Sequence, residues 1–180
     1  AIPNVAGSEL NYDYLEIGAR QEFKVGALGT SRWTARAGRF LQDSNIRFTD
    51  FKFIRGTDAG FFAAPLDVFQ LLGETISTKN AWFEGHYLHD FGGALIEKIP
   101  LLRELPLQAH TGGGLLGIED GNFLHAELFA GVGVPFRIFK TRIKISGYYV
   151  TSYSNYNNAI DGQFKLGISV FDPIRRRWEY

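Results

Sequence analysis

The sequence contains no cysteine and no methionine. Without thiols it has no disulfide framework, no thiolate nucleophile and no cysteine-ligated metal. A chain that starts at Ala1 and lacks methionine reads as a processed product or as a piece of something longer. Excess charge of one sign is missing too: 19 basic and 19 acidic residues cancel, so no net field steers the chain toward nucleic acid or a strongly acidic substrate. No apolar run reaches the roughly 18 residues that a membrane-crossing helix needs. That leaves a membrane barrel open, because its strands need only about ten residues of alternating character.

Aromatic residues and glycine are abundant instead, with 16 Phe, 8 Tyr, 3 Trp and 21 Gly among 180 residues. The length suits about one domain. Apolar positions recur with a period of two, which places them on one side of extended strands. Leu124, Ala126, Leu128, Ala130, Val132 and Val134 alternate with His125, Glu127, Phe129 and two glycines. Thr141, Ile143, Ile145, Gly147 and Tyr149 oppose Lys140, Arg142, Lys144, Ser146 and Tyr148, while Phe164, Leu166, Ile168 and Val170 oppose Gln163, Lys165, Gly167 and Ser169. Weaker alternation runs through 15–25, 33–38, 81–87 and 105–115, so seven strands are expected.

Glycine-rich turns at 26–31 and 117–122, and a tight turn at 135–139, are too short for helical crossovers and predict antiparallel hairpins. A Ser-, Asn- and Tyr-rich loop is expected at 151–162. Residues 42–78 are too apolar for a free solvated loop, with a short amphipathic helix expected at 65–72, and Pro100 and Pro106 frame an ordered connection over 92–107.

In a water-soluble sheet or calyx the apolar face would turn inward and the opposite face would meet solvent. That opposite face carries Trp82, Phe129, Tyr148 and Phe171 beside Glu84, Glu127, Lys140, Arg142 and Lys144. Such a mixture suits a barrel lumen with lipid outside. The expected fold class is therefore all-β, an antiparallel transmembrane β-barrel with about seven or eight strands in this chain. Seven strands alone do not close an even-numbered barrel; either an eighth lies near 47–54 or the chain is the carboxyl part of a larger one.

Four segments carry a resemblance: FIRGTDAGFF (53–62), HYLHDFGGALIEKIPLLRELPL (86–107), AELFAGVGVPFRIF (126–139) and FKLGISVFDPIRRRWEY (164–180). Together they resemble the C-terminal end of Bacteroidetes outer-membrane proteins that join an N-terminal carboxypeptidase-like regulatory domain to a surface-antigen-type barrel. The resemblance implies a distant kinship with outer-membrane assembly and secretion barrels of about 16 strands. In these an Arg-Gly pair on a long loop folds into the lumen. Arg55 and Gly56 would be that pair, Glu84 or Glu127 its acidic partner, and loop 42–78 a plug. Phe164, Leu166, Ile168, Val170 and Tyr180 would form the terminal targeting strand. The implied function is transport, secretion or assembly at the bacterial outer membrane, without enzymatic chemistry or cofactor, with outer-membrane lipid, the barrel assembly machinery and other envelope proteins as partners.

Two alternatives stay open: a soluble or periplasmic barrel that binds a hydrophobic ligand, and an outer-membrane lipid or peptide hydrolase. Catalytic signals are thin. His86 and His89 point to opposite faces of a strand and do not share a metal without a bend. No nucleophile elbow surrounds any serine, and HTGGGLLG at 110–117 lacks the lysine and helix of a phosphate loop.

Overall fold

The computed structural model describes residues 11–156, 158–175 and 177–180. Eleven strands appear in chain order: β1 (Asn11–Lys24), β2 (Thr30–Asn45), β3 (Lys52–Ile54), β4 (Phe61–Phe62), β5 (Ile76–Thr78), β6 (Trp82–Gly92), β7 (Gln108–Ile118), β8 (Phe123–Ile138), β9 (Thr141–Ser154), β10 (Ala159–Asp172) and β11 (Arg177–Glu179). The main sheet runs β1-β2-β6-β7-β8-β9-β10-β11, and β4 adds a short parallel pairing to β10. β3 and β5 form a separate two-stranded ribbon, so the strand sought near 47–54 exists but lies off the main sheet.

The sheet is open, and the expected closed barrel does not form. Its seven long strands, β1, β2 and β6 to β10, pair antiparallel in succession. An odd number makes the first and last run in the same direction, so the antiparallel ladder that seals a bacterial barrel is not available between them. The free edge of β10 is instead taken by β4 at Leu166 and Gly167 and by β11 at 170–172, while β1 pairs with β2 alone among the described residues. Side chains still reach across the opening, with Arg177 Nη1 2.8 Å from Glu22 Oε2. The outer-membrane barrel for transport, secretion or assembly, and the outer-membrane localisation and surface-antigen character expected with it, rested on closure and fall with it. Among the described residues no helix is long and apolar enough to cross a membrane.

The curled sheet is polar inside and apolar outside. On its outer, convex face Ile17 is 68% exposed, Leu128 67% and Ile168 65%, whereas Lys144 on the inner face is fully buried. Glu84, His86, Glu127, Ser146, Lys165 and Ser169 are buried alongside it. What covers them is the segment between β2 and β6, which folds back into the concave side.

Two apolar clusters seat that segment. Phe69 packs with Ile54, Trp82, Leu116 and Ile118, and Phe62 with Leu88, Phe129, Tyr148 and Val150. The Phe62 ring stacks on Tyr148, centroids 3.6 Å apart and planes 10° from parallel. Burying two phenylalanines recovers about 2–3 kcal/mol each, which opposes the entropy of ordering the segment. Bare backbone makes room for the rings: a Cβ on Gly112 would collide with Phe129, and one on Gly131 with Tyr148.

Three local expectations change. Residues 135–139 are strand through Ile138, because Pro135 comes after the β7 ladder has ended at Gly133, where a missing N–H removes no bond on that side. The loop expected at 151–162 is largely strand, since β9 and β10 stay paired out to Ser154 and Ala159. Side chains knit that end: Thr151 Oγ1 donates to the Asp161 carbonyl at 3.0 Å and Tyr153 Oη to Asn158 Oδ1 at 3.1 Å. Residues 65–72 form turns rather than a helix.

Candidate functional site

The concave face holds the densest chemistry in the molecule. Glu127, on β8, accepts from the backbone N–H of Gln70 at 2.6 Å and of Leu71 at 2.5 Å, and its Oε1 lies 2.9 Å from His125 Nε2. One carboxylate thus satisfies two main-chain donors that would otherwise be buried without partners. Lys165, on β10, donates to Thr57 Oγ1 at 2.8 Å and to the carbonyls of Asp58 at 3.0 Å and Phe61 at 3.3 Å. Asp67 pairs with Arg20 on β1. The segment between β2 and β6 is held to three strands by a carboxylate, an ammonium and a guanidinium.

A second cluster lies deeper. Lys144 Nζ is 3.0 Å from His110 Nε2 and donates to Tyr180 Oη at 3.2 Å; Tyr180 Oη is 3.1 Å from His110 Nδ1. Asp90 Oδ1 lies 3.4 Å from that same Nδ1, and Asp90 Oδ2 3.9 Å from Lys144 Nζ. The Lys144 ammonium also sits over the rings of Trp178, at 4.6 Å, and Tyr180, at 5.0 Å. Burial pushes the lysine down to about 7 in spite of Asp90, with Arg32 adding to the effect. Burial would raise Asp90, but the hydrogen bond from His110 and the charges of His110 and Lys144 outweigh it and bring the carboxyl to about 2. Desolvation lowers His110 as well.

Arg55 and Gly56 do not enter this chemistry through side chains. Arg55 is exposed, and its carbonyl accepts the Phe69 N–H at 3.1 Å. Gly56 forms a parallel bridge with Phe69, and a Cβ there would stand 3.2 Å from Leu72 Cβ. Glu84 pairs with Arg36, at 2.7 Å, and burial raises its carboxyl despite that partner. Phe164, Leu166, Ile168 and Val170 face outward, while Tyr180 turns inward against Phe62 and His110. His86 and His89 are both buried; His89 Nδ1 bonds Ser31 Oγ at 2.7 Å, away from His86. Among the described residues no group of three or more His, Cys, Asp or Glu could hold a metal. No motif or spacing in the sequence joins Lys144, Lys165, Asp90 and His110 as a set. Their signal in the sequence was inward lysines at 144 and 165 flanked by small residues, Ser146, Gly167 and Ser169, which leave room for a long charged side chain to lie across the interior.

The family model for the C-terminal domain of DUF5686, a family of unknown function, matches residues 1–132. The chain belongs to that family. No curated protein and no solved structure matches it. The match ends inside β8 and takes in Asp90, His110 and Glu127, whereas Lys144, Lys165 and Tyr180 lie beyond it.

His86 yields a test of this interior. Burial, reinforced by Arg36, lowers its pKa to about 4, and its Nε2 has no hydrogen-bond partner among the described residues. A base depressed in the folded state takes up its proton in the unfolded chain first, so stability falls as pH drops from about 6.5 to about 4. The loss amounts to about 3 kcal/mol at roughly 1.4 kcal/mol per unit. Urea unfolding across that range should show the slope, and His86→Phe should flatten it by that amount; an unchanged slope would show that His86 does not titrate there.

Proposed function

We propose that this chain is a lipid-contacting module whose convex sheet face is covered by acyl chains. The observation that carries this is the direction of the apolar side: Leu15, Ile17, Leu128, Val132, Ile145, Phe164, Leu166 and Ile168 all point away from the packed interior. Water-soluble monomers rarely expose contiguous apolar patches beyond a few hundred Å². Here the apolar side continues across β1, β8, β9 and β10 of a sheet whose two edges nearly meet, so it looks outward in many directions at once. A single protein partner with an interface of ordinary size meets one side of such a surface. Fluid hydrocarbon covers all of it.

The relief of that face agrees with chains rather than headgroups. A shallow apolar groove of about 740 Å³ runs over Gly85, Gly113 and Ala126 between Trp33, Tyr87, Leu115 and Leu128. Polar groups are left to the concave side, where the segment between β2 and β6 satisfies them.

The test is sedimentation of the full chain with and without a neutral maltoside detergent, measuring bound detergent and protein mass together. Expected is a protein monomer that carries a detergent belt and precipitates or aggregates when detergent is withdrawn. A monodisperse monomer in plain buffer, or a defined detergent-free oligomer that hides the convex face against copies of itself, would overturn the proposal. Leu128→Asp and Ile168→Asp, on the exposed face, should each reduce bound detergent while leaving the interior intact.

A further inference from the structure

Where the end of β1, the turn at Pro65 to Asp67 and β11 converge, the opening between the sheet edges narrows to a cleft of about 80 Å³. We propose that this cleft is an anion site, in which the guanidinium of Arg32 receives a phosphate or carboxylate group that enters between β1 and β11.

Arg32 is only 5% exposed. Its Nη1 donates to the Trp178 carbonyl at 3.3 Å, and its guanidinium carbon lies 5.6 Å from the centre of the Tyr180 ring. A guanidinium carries five N–H donors. Among the described residues that one long bond to a neutral carbonyl is its hydrogen bond, and no carboxylate stands within ion-pair distance. The acids around the cleft are occupied elsewhere: Asp67 pairs with Arg20, Glu22 with Arg177, and Glu179 Oε1 accepts from Arg177 Nε at 2.7 Å. Glu22 lies directly across from Arg32 in the β1–β2 register and contributes negative potential without closing a pair.

A largely buried cation held by one long bond to a neutral carbonyl and by an aromatic ring has donors to spare, and an oxyanion presenting two oxygens to the guanidinium fork uses them. The cleft admits one such group and not a nucleotide. Its lining of three arginines and three acids is neutral overall, so selection comes from the desolvated fork rather than from a long-range field. The oxyanion belongs either to a free anion or to a lipid headgroup, and the chemistry of recognition is the same. The site stands on Arg32 and its cleft and does not depend on the hydrocarbon reading of the outer face.

The full chain in neutral maltoside micelles is titrated with inorganic phosphate, with acetate, and with phosphatidylglycerol against phosphatidylcholine, following heat release and unfolding midpoint. Expected is saturable binding of at least one of the first three, absent for phosphatidylcholine and weakened at least about ten-fold in Arg32→Gln. A response to phosphatidylglycerol alone identifies a headgroup; a response to phosphate or acetate identifies a free anion. Silence with all three overturns the proposal. If Arg32→Gln does not fold, Glu22→Gln decides: removing the opposing carboxylate should tighten binding roughly five-fold, and unchanged or weaker binding overturns the site. Should the chain need no detergent, the phosphate titration in plain buffer still tests the cleft, so the two proposals fail separately.

Discussion

Glu127→Ala should lower stability by about 3–5 kcal/mol, the cost of stripping a buried charged acceptor from its donors. In a chain of this size that is a fall in unfolding midpoint of roughly 10 °C. Two main-chain N–H groups, of Gln70 and Leu71, would be left buried and unpaired, and His125 would lose its acceptor. Because the loss falls on the segment between β2 and β6, local opening should rise more than global unfolding. Trypsin reports it: Arg55 is exposed but its backbone is tied to Phe69, so cleavage after Arg55 should accelerate in the variant. Glu127→Gln keeps one carbonyl oxygen and should fall between. Equal proteolysis in all three proteins would show that Glu127 does not hold the segment.

The second large effect is a dependence of stability on alkaline pH. Lys144 is depressed to about 7 by burial, with Asp90 opposing and Arg32 adding to the shift. Between that value and its ordinary 10.5 the unfolded chain binds the extra proton, so stability rises with pH across this window. At roughly 1.4 kcal/mol per unit the rise reaches a few kcal/mol by pH 9.5. Measurement should stop there, because burial raises Tyr148 and Tyr180 and their ionisation in the unfolded chain reverses the trend at higher pH. Lys144→Met keeps the length, removes the charge, and should abolish the rise while leaving stability at pH 7 equal or greater, as replacement of buried charges by apolar groups often does. Urea midpoints at pH 7, 8 and 9 decide it. A parallel rise in Lys144→Met would assign the titration to another group.

Much of this architecture was legible in a period of two. The alternations beginning at Leu124, Thr141 and Phe164 place β8, β9 and β10, and the polar partners at Glu127, Lys144 and Lys165 mark the side that needs cover. Closure was not legible, because alternation fixes faces but neither the number of strands nor the partners of the outermost two. Strand ends were misjudged where turn-forming residues sit inside ladders, as with Pro135 beyond the reach of β7 and the Ser- and Asn-rich end of the β9–β10 hairpin. Arg55 stood out for its company in sequence, yet the contacts at this level of the interior run through backbone amides at 70 and 71, which carry no side-chain signature. Asp90 and His110 are cross-strand partners in β6 and β7, but Lys144 and Tyr180 reach them because the sheet curls, bringing the chain end back over β7.

The parallel contact between β4 and β10 has a consequence for the order in which the protein can be made. Lys165 reaches back 108 residues to Thr57. Most other neighbours in the sheet are hairpins that can pair as they emerge, at little cost in loop closure. The segment carrying Phe62 and Phe69 is synthesised early, but Lys165, Leu166 and Tyr148 appear late. A nascent chain therefore carries Phe62 unseated past the making of β5 to β8, and a product truncated before β9, which lacks Tyr148 and Val150, would keep it exposed, a ready target for chaperones and proteases.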